Sequence, residues 1–235
     1  MAEDLSALAG STIVFDLDGT LVETAPDLVG TLNSILADEG LAPLGIDIAR
    51  PMIGHGARAL MLRGFEAAGI PYPEARDKML FETFLARYDA RIADESHPFP
   101  GVVEALDVLA GAGATLAVCT NKPTNLSVSL LDALGLSSRF AAIVGADAAP
   151  TPKPDASHIV ETVRRAGGDL SRAVMVGDSA TDAIAARAAG APLVLVSFGY
   201  TAAPAAELNP DVLIDHFDAL VPACARLLAA CPAGA

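Results

Sequence analysis

Two aspartates, Asp16 and Asp18, stand two residues apart in Ile13-Val-Phe-Asp-Leu-Asp-Gly-Thr20, where an apolar β-branched run meets a glycine turn. In extended backbone their side chains point to the same side, with Cα atoms about 6 to 7 Å apart, while Leu17 points the other way. Such a pair can divide labour. One ionised carboxylate can act as nucleophile while its neighbour trades a proton, since like charges this close push two pKa values apart. The same segment also reads as a polar turn that ends a strand.

Three later segments carry comparable chemistry. In Val118-Cys-Thr-Asn-Lys122 a hydroxyl and an amide, Thr120 and Asn121, follow an apolar run. They can donate to anionic oxygens or cap a helix. Lys153 lies between Pro152 and Pro154, whose rings restrict the backbone and delay any helix, so a stiff loop presents a placed cation. In Gly177-Asp-Ser-Ala-Thr-Asp182 the two aspartates are four apart and share one face of a first helical turn. The helix dipole accounts for such a pair; Asp178, at a strand tip, is also a hard oxygen ligand suited to Mg²⁺.

The elements that must position these groups are legible as short β-branched runs. They are Thr12–Phe15, Thr115–Cys119, Ala173–Val176 and Leu193–Val196, with weaker ones at Ala142–Val144 and Val212–Ile214. Between them the pattern predicts helices at Val102–Ala112, Thr124–Leu134, Ala156–Ala166, Thr181–Ala189 and from about Phe217 to Ala230. Alternation of continuous apolar strands with helices predicts an α/β fold with a parallel, Rossmann-like sheet covered by helices on both faces. Ligands bind such sheets at the carboxyl ends of the strands, which here carry Asp16, Asp18, Thr120 and Asp178. From Glu23 to Glu95 no good strand is apparent. Amphipathic segments at Pro26–Glu39, Ala57–Ala68 and Glu74–Ala93 predict an all-helical insertion after the first strand. The expected division is a core of residues 1–22 and 96–235, with residues 23–95 inserted.

Composition narrows the function. The 235 residues are 52% hydrophobic and 19% charged, which excludes a disordered polyampholyte. A net charge of −14 disfavours nucleic acid and anionic membrane, and no apolar run reaches the roughly 18 to 20 residues of a membrane span. Cys119, Cys224 and Cys231 form neither a disulfide framework nor a zinc pattern. With no basic segment ahead of an apolar one at the start, the expectation is a soluble cytoplasmic protein, monomer or homodimer. His97, His158 and His216 show no metal-binding spacing.

The ordered set resembles the haloacid dehalogenase-like hydrolase superfamily over about Ile13 to Leu228, with all four family motifs filled. By that resemblance Asp16 is the nucleophile and Asp18 the general acid/base. Thr120, Asn121 and Lys153 bind the phosphoryl group. Asp16, the backbone carbonyl of Asp18, and Asp178 hold Mg²⁺, with Asp182 in support, and the insertion is the helical cap domain. The implied reaction is two-step phosphoryl transfer to Asp16 and then to water. Having both aspartates argues against a dehalogenase, and Lys78, mid-helix, is a poor Schiff-base lysine for a phosphonate hydrolase. A β-phosphoglucomutase-like phosphomutase, a phosphatase of sugar phosphates or pyrophosphate, and a catalytically silent regulatory protein remain as alternatives.

Within the superfamily, Gly54-His-Gly-Ala-Arg58, Phe99-Pro-Gly-Val, Thr120-Asn-Lys-Pro-Thr124, Gly177-Asp-Ser and Ser197-Phe-Gly-Tyr200 resemble bacterial phosphoglycolate phosphatases. The implied substrate is a small phosphorylated metabolite, 2-phosphoglycolate. Gly54 and Gly56 permit close backbone approach, and His55, Arg58 or Lys122 could meet a substrate carboxylate; Gly54-His-Gly56 also reads as a turn opening the Ala57–Ala68 helix. Tyr200 could close a pocket or simply pack.

Overall fold

Six of the apolar runs line up side by side. The computed structural model describes residues 4–54, 56–201 and 203–230. Its strands are β1 (Thr12–Phe15), β2 (Val22–Glu23), β3 (His97–Pro98), β4 (Thr115–Cys119), β5 (Ala142–Val144), β6 (Ala173–Gly177), β7 (Leu193–Val196) and β8 (Val212–Ile214). Its α-helices are α1 (Ala25–Asp38), α2 (Ile46–Ala49), α3 (Ala57–Ala67), α4 (Asp77–Asp89), α5 (Val102–Gly111), α6 (Thr124–Ala133), α7 (Ala156–Arg165), α8 (Ala180–Ala189) and α9 (Leu220–Ala230). The main sheet runs β5-β4-β1-β6-β7-β8, every pair parallel.

Both faces of this sheet are covered, which is why its strands are apolar at consecutive positions rather than alternate ones. Ile13 and Phe15 pack on one side with Leu106 and Leu109 of α5 and Cys224 and Leu228 of α9. Val14 points to the other side, among Ile159 and Val163 of α7 and Ala183 and Ala186 of α8. The expected fold class is the one observed.

Register places the chemistry. Phe15 pairs with Val118 on β4 and with Val176 on β6, so Asp16, Thr120 and Asp178 emerge together at the carboxyl edge. The chain turns from β1 to β4 on one side and later to β6 on the other, making β1 the switch point where such sheets bind ligands.

Between β2 and β3 lie α1 to α4, which build a cluster of their own. Leu32, Ile35 and Leu36 of α1 meet Leu60, Met61 and Phe65 of α3 and Leu80, Phe84 and Tyr88 of α4. A Cβ at Gly64 would fall 2.7 Å from Leu32 Cδ1, so glycine sets the close crossing of α1 and α3. Leu126 and Tyr200, from the sheet unit, join this cluster.

The expected strandless stretch differs at its edges. Val22 pairs with Pro98, and Glu23 with His97, in a short antiparallel ribbon. Two-residue strands give no periodicity to read, which is why neither was anticipated. The helix expected over Glu74–Ala93 is a 3-10 turn, Glu74–Arg76, followed by α4 ending at Asp89. Just beyond it the backbone turns toward α1. The N–H groups of Glu95 and Ser96 and the Ser96 hydroxyl donate to Asp27 Oδ2 at 3.0, 2.8 and 2.7 Å, while Arg91 donates to Oδ1. Asp27 is fully buried and supplies the acceptors that the turning chain needs.

Candidate active site

Asp16 follows β1 directly, and its N–H still donates to Val176 O on β6. Its Oδ1 accepts from Leu17 N at 2.7 Å and lies 3.1 Å from Lys153 Nζ. Burial raises the Asp16 carboxyl to about 7, against the pull of Lys153. Lys153 Nζ also donates to Asp182 Oδ1 at 2.6 Å. Burial alone would lower that ammonium, but Asp16 and Asp182 more than offset it and hold it above the ordinary lysine value.

Asp178 sits at the tip of β6. Its Oδ1 accepts from Thr20 Oγ1 at 3.2 Å and its Oδ2 from Tyr200 N at 2.6 Å. Burial, with Asp182 and Asp16 adding repulsion, holds it well above the carboxylate range. Asp182 Oδ2 is occupied by Asp178 N, Ser179 N and Ser179 Oγ, completing a capping box with Ser179 at the start of α8.

Carboxylate oxygens of Asp16, Asp178 and Asp182 lie within 4.8 Å of one another, all buried. Ionised together, the three would outweigh the Lys153 ammonium and carry an excess of buried negative charge. That donor set, hard oxygen in a tight cluster, fits a divalent cation such as Mg²⁺.

Asp18 faces a different cation. Its Oδ1 accepts from Thr24 Oγ1 at 2.8 Å and lies 3.1 Å from Lys122 Nζ. Lys122 also donates to Tyr88 OH of α4 at 3.0 Å. Burial would lower the Lys122 ammonium, but Asp18 and Tyr88 raise it above its ordinary value; burial raises the Tyr88 hydroxyl to about 12. Thr120 is buried at the end of β4, its Oγ1 accepting from Lys122 N. Asn121 Nδ2 donates to Lys153 O at 2.9 Å, while its Oδ1 is buried and has no partner among the described residues.

These groups floor a cavity of about 50 Å³. Asp16, Asp18, Thr120, Asn121 and Lys122 line it from the sheet side, and Leu28, Leu60, Phe84, Leu85 and Tyr88 from the helices above, with Ile53 from the turn before α3.

A family model of haloacid dehalogenase-like hydrolases matches residues 13–196. The chain belongs to that family. A "Phosphoglycolate phosphatase" of Caulobacter vibrioides is 58% identical over 97% of this chain and 97% of its own length. Another of Agrobacterium fabrum is 51% identical over 89% of this chain and 90% of its own. The crystal structure of a predicted phosphoglycolate phosphatase from Haemophilus somnus 129pt superposes with a TM-score of 0.84 at 32% identity, covering 91% of this chain and 97% of that one.

Among the residues that the sequence nominates in this hydrolase, the structure gathers Asp16, Asp18, Thr120, Asn121, Lys122, Lys153, Asp178 and Asp182 around the sheet edge. Gly54 and Gly56 line the cavity with positive φ of 101° and 87°. His55 lies outside the described residues. Arg58 is the exception. It is half-exposed, donates to Asp77 Oδ2 at 3.0 Å and stacks on Phe81 with its guanidinium carbon 3.7 Å from the ring centroid. Its place on α3 turns it away from the cavity, whose walls are supplied by Ala57 and Leu60.

Four residues support the site in ways that the motifs do not specify. Thr20 anchors Asp178, and Thr24 anchors Asp18. His158 accepts from Lys153 N through Nδ1, and its Nε2 faces Val144 O at 3.0 Å. Burial, with Lys153 nearby, lowers His158 to about 4, so it stays neutral and holds the lysine loop. Tyr200 OH accepts from Thr24 N and Ala25 N and donates to Glu23 Oε1. A Cβ on Gly199 would meet Asp178 Cβ at 2.1 Å, so this glycine lets the Tyr200 loop reach Asp178. The Ser197-Phe-Gly-Tyr segment was the only advance signal for that strut.

Proposed function

We propose that this hydrolase is a Mg²⁺-dependent phosphatase of small phosphate monoesters, with 2-phosphoglycolate as its substrate. The observation that carries the reading is the pairing of two buried sites. An Asp16–Lys153–Asp182–Asp178 cluster suited to a phosphoryl group and a cation adjoins a small cavity with one further ammonium, Lys122. The names of the relatives support the same substrate.

Asp16 is the nucleophile in this reading. Its Oδ1 is held by Leu17 N and Lys153, and Oδ2 carries no hydrogen bond among the described residues, leaving it to attack phosphorus. Asp18, steered by Thr24 through Oδ1, delivers a proton to the departing alkoxide and later takes one from the water that hydrolyses the aspartyl phosphate. Thr120, Asn121 and Lys153 orient the phosphoryl oxygens. Asp16 and Asp178, with the Asp18 carbonyl, would hold Mg²⁺, and Asp182 keeps Lys153 in place. When bound, the ion supplies positive charge against the repulsion between an anionic nucleophile and a phosphate dianion.

The residues 23–95 act as a cap over this site, and the buried free thiols Cys119 and Cys224 suit a reducing compartment. Phosphate release measured with Mg²⁺ across phosphorylated acids, sugar phosphates, nucleotides and pyrophosphate tests the reading. The expected result is a kcat/KM for 2-phosphoglycolate at least tenfold above any sugar phosphate. A sugar phosphate turned over faster would overturn the assignment, and isomer formation without phosphate release would replace it with a mutase.

A further inference from the structure

Tyr88 is 1% exposed, yet its hydroxyl is only half used. It accepts from Lys122 Nζ, and among the described residues nothing accepts its own proton. A phenol buried without an acceptor for its proton carries an uncompensated desolvation cost. Lys122 is in a similar position. Its ammonium has three protons, of which Asp18 and Tyr88 account for two. Both side chains line the same cavity, whose other nearby walls are Leu28, Leu60, Phe84 and Leu126.

We propose that Tyr88 OH and Lys122 Nζ form a carboxylate subsite, in which the hydroxyl of α4 and the ammonium of the sheet edge each donate to the substrate's acid group. This deepens the phosphatase reading and rests on it for the phosphoryl end of the ligand. Two converging donors match the two oxygens of a carboxylate. A second phosphate group fits poorly, because its dianion would share one ammonium with Asp18 only 3.1 Å away. A polyol fits poorly too, because beyond the phosphoryl end, where Asp16, Asp18, Thr120 and Asn121 stand, its remaining hydroxyls would face Leu28, Leu60, Phe84 and Leu126. The donor from the helical layer also makes discrimination depend on closure, since Tyr88 reaches Lys122 only when α4 lies over the sheet edge. In that role Tyr88 sets specificity, while the bond-making groups stay below.

Calorimetric binding to the full chain with Mg²⁺ present separates this subsite from turnover. The probes are 3-phosphonopropionate, which carries a carboxylate and cannot be hydrolysed, and propylphosphonate, which lacks the carboxylate. Wild type is expected to prefer the carboxylated probe at least tenfold. Tyr88→Phe keeps the ring stacked on Phe84 and is expected to cut that preference to threefold or less through weaker binding of 3-phosphonopropionate. Equal binding of both probes by wild type, or an undiminished preference in folded Tyr88→Phe, would overturn the proposal. Because neither probe turns over, a failure of the 2-phosphoglycolate assignment shows in phosphate release and leaves this readout intact.

Discussion

At the scale of single residues, the site is a set of charges that the fold forces close and then neutralises unevenly. Among the described residues Lys153 serves two aspartates, Lys122 serves one, and Asp178 has a hydroxyl and a backbone N–H. The division follows from which carboxylates need to stay available. Arg58 shows the reverse case, a cation whose charge is consumed locally by Asp77. Arg58→Ala is therefore expected to change kcat/KM for 2-phosphoglycolate by less than threefold in a phosphate-release assay; a tenfold loss would return Arg58 to the substrate. Asp16→Asn should lower kcat by at least about a thousandfold, because the amide cannot form the aspartyl phosphate; retained turnover would exclude Asp16 as nucleophile.

At the scale of elements, one buried polar anchor ties the helical layer to the sheet and a second ties α1 to the chain that leads back into β3. Tyr200 binds the first turn of α1, while Asp27 gathers Arg91 and the N–H groups of Glu95 and Ser96. Asp27→Ala strands these donors and is expected to cost roughly 3 to 5 kcal/mol, read as a shifted denaturant midpoint; a change below about 1 kcal/mol would show that water replaces the carboxylate. The strands of the main sheet were legible because each is an apolar, β-branched run buried on both faces, and β1 through Phe15 is the clearest case. The candidate site was legible where a charged or hydroxyl side chain stood at a strand end: Asp16, Thr120 and Asp178. Asp27 was not, because an acidic residue in a first helical turn looks the same whether it faces water or a neighbouring backbone. Tyr88 was hidden for a related reason, its apolar ring fitting the buried stripe of α4 while only the hydroxyl bears on function.

At the scale of the whole molecule, an acidic protein has concentrated its buried charge at one sheet edge, and stability should report that. Asp16 has a folded value of about 7 against an ordinary 3.8, so between those values the folded chain binds more protons than the unfolded one. Without a cation, stability from this group falls as pH rises through that window and is lowest above it. A cation seated on the cluster would offset the loss, so the rise in Tm on adding Mg²⁺ to chelator-treated protein should be larger at pH 8 than at pH 5. Equal rises at both would remove the aspartate cluster as the cation's seat. The β2–β3 ribbon bears on how such a molecule can vary. Glu23 faces His97 across a ladder, so the chain leaves and re-enters the sheet unit at one rung. Everything between those residues is a cassette whose two ends are already neighbours, and a tight two-residue turn could join them. Swapping one cassette for another would leave the strand order untouched, and Asp16 with it, while replacing the residue that meets Lys122 from above.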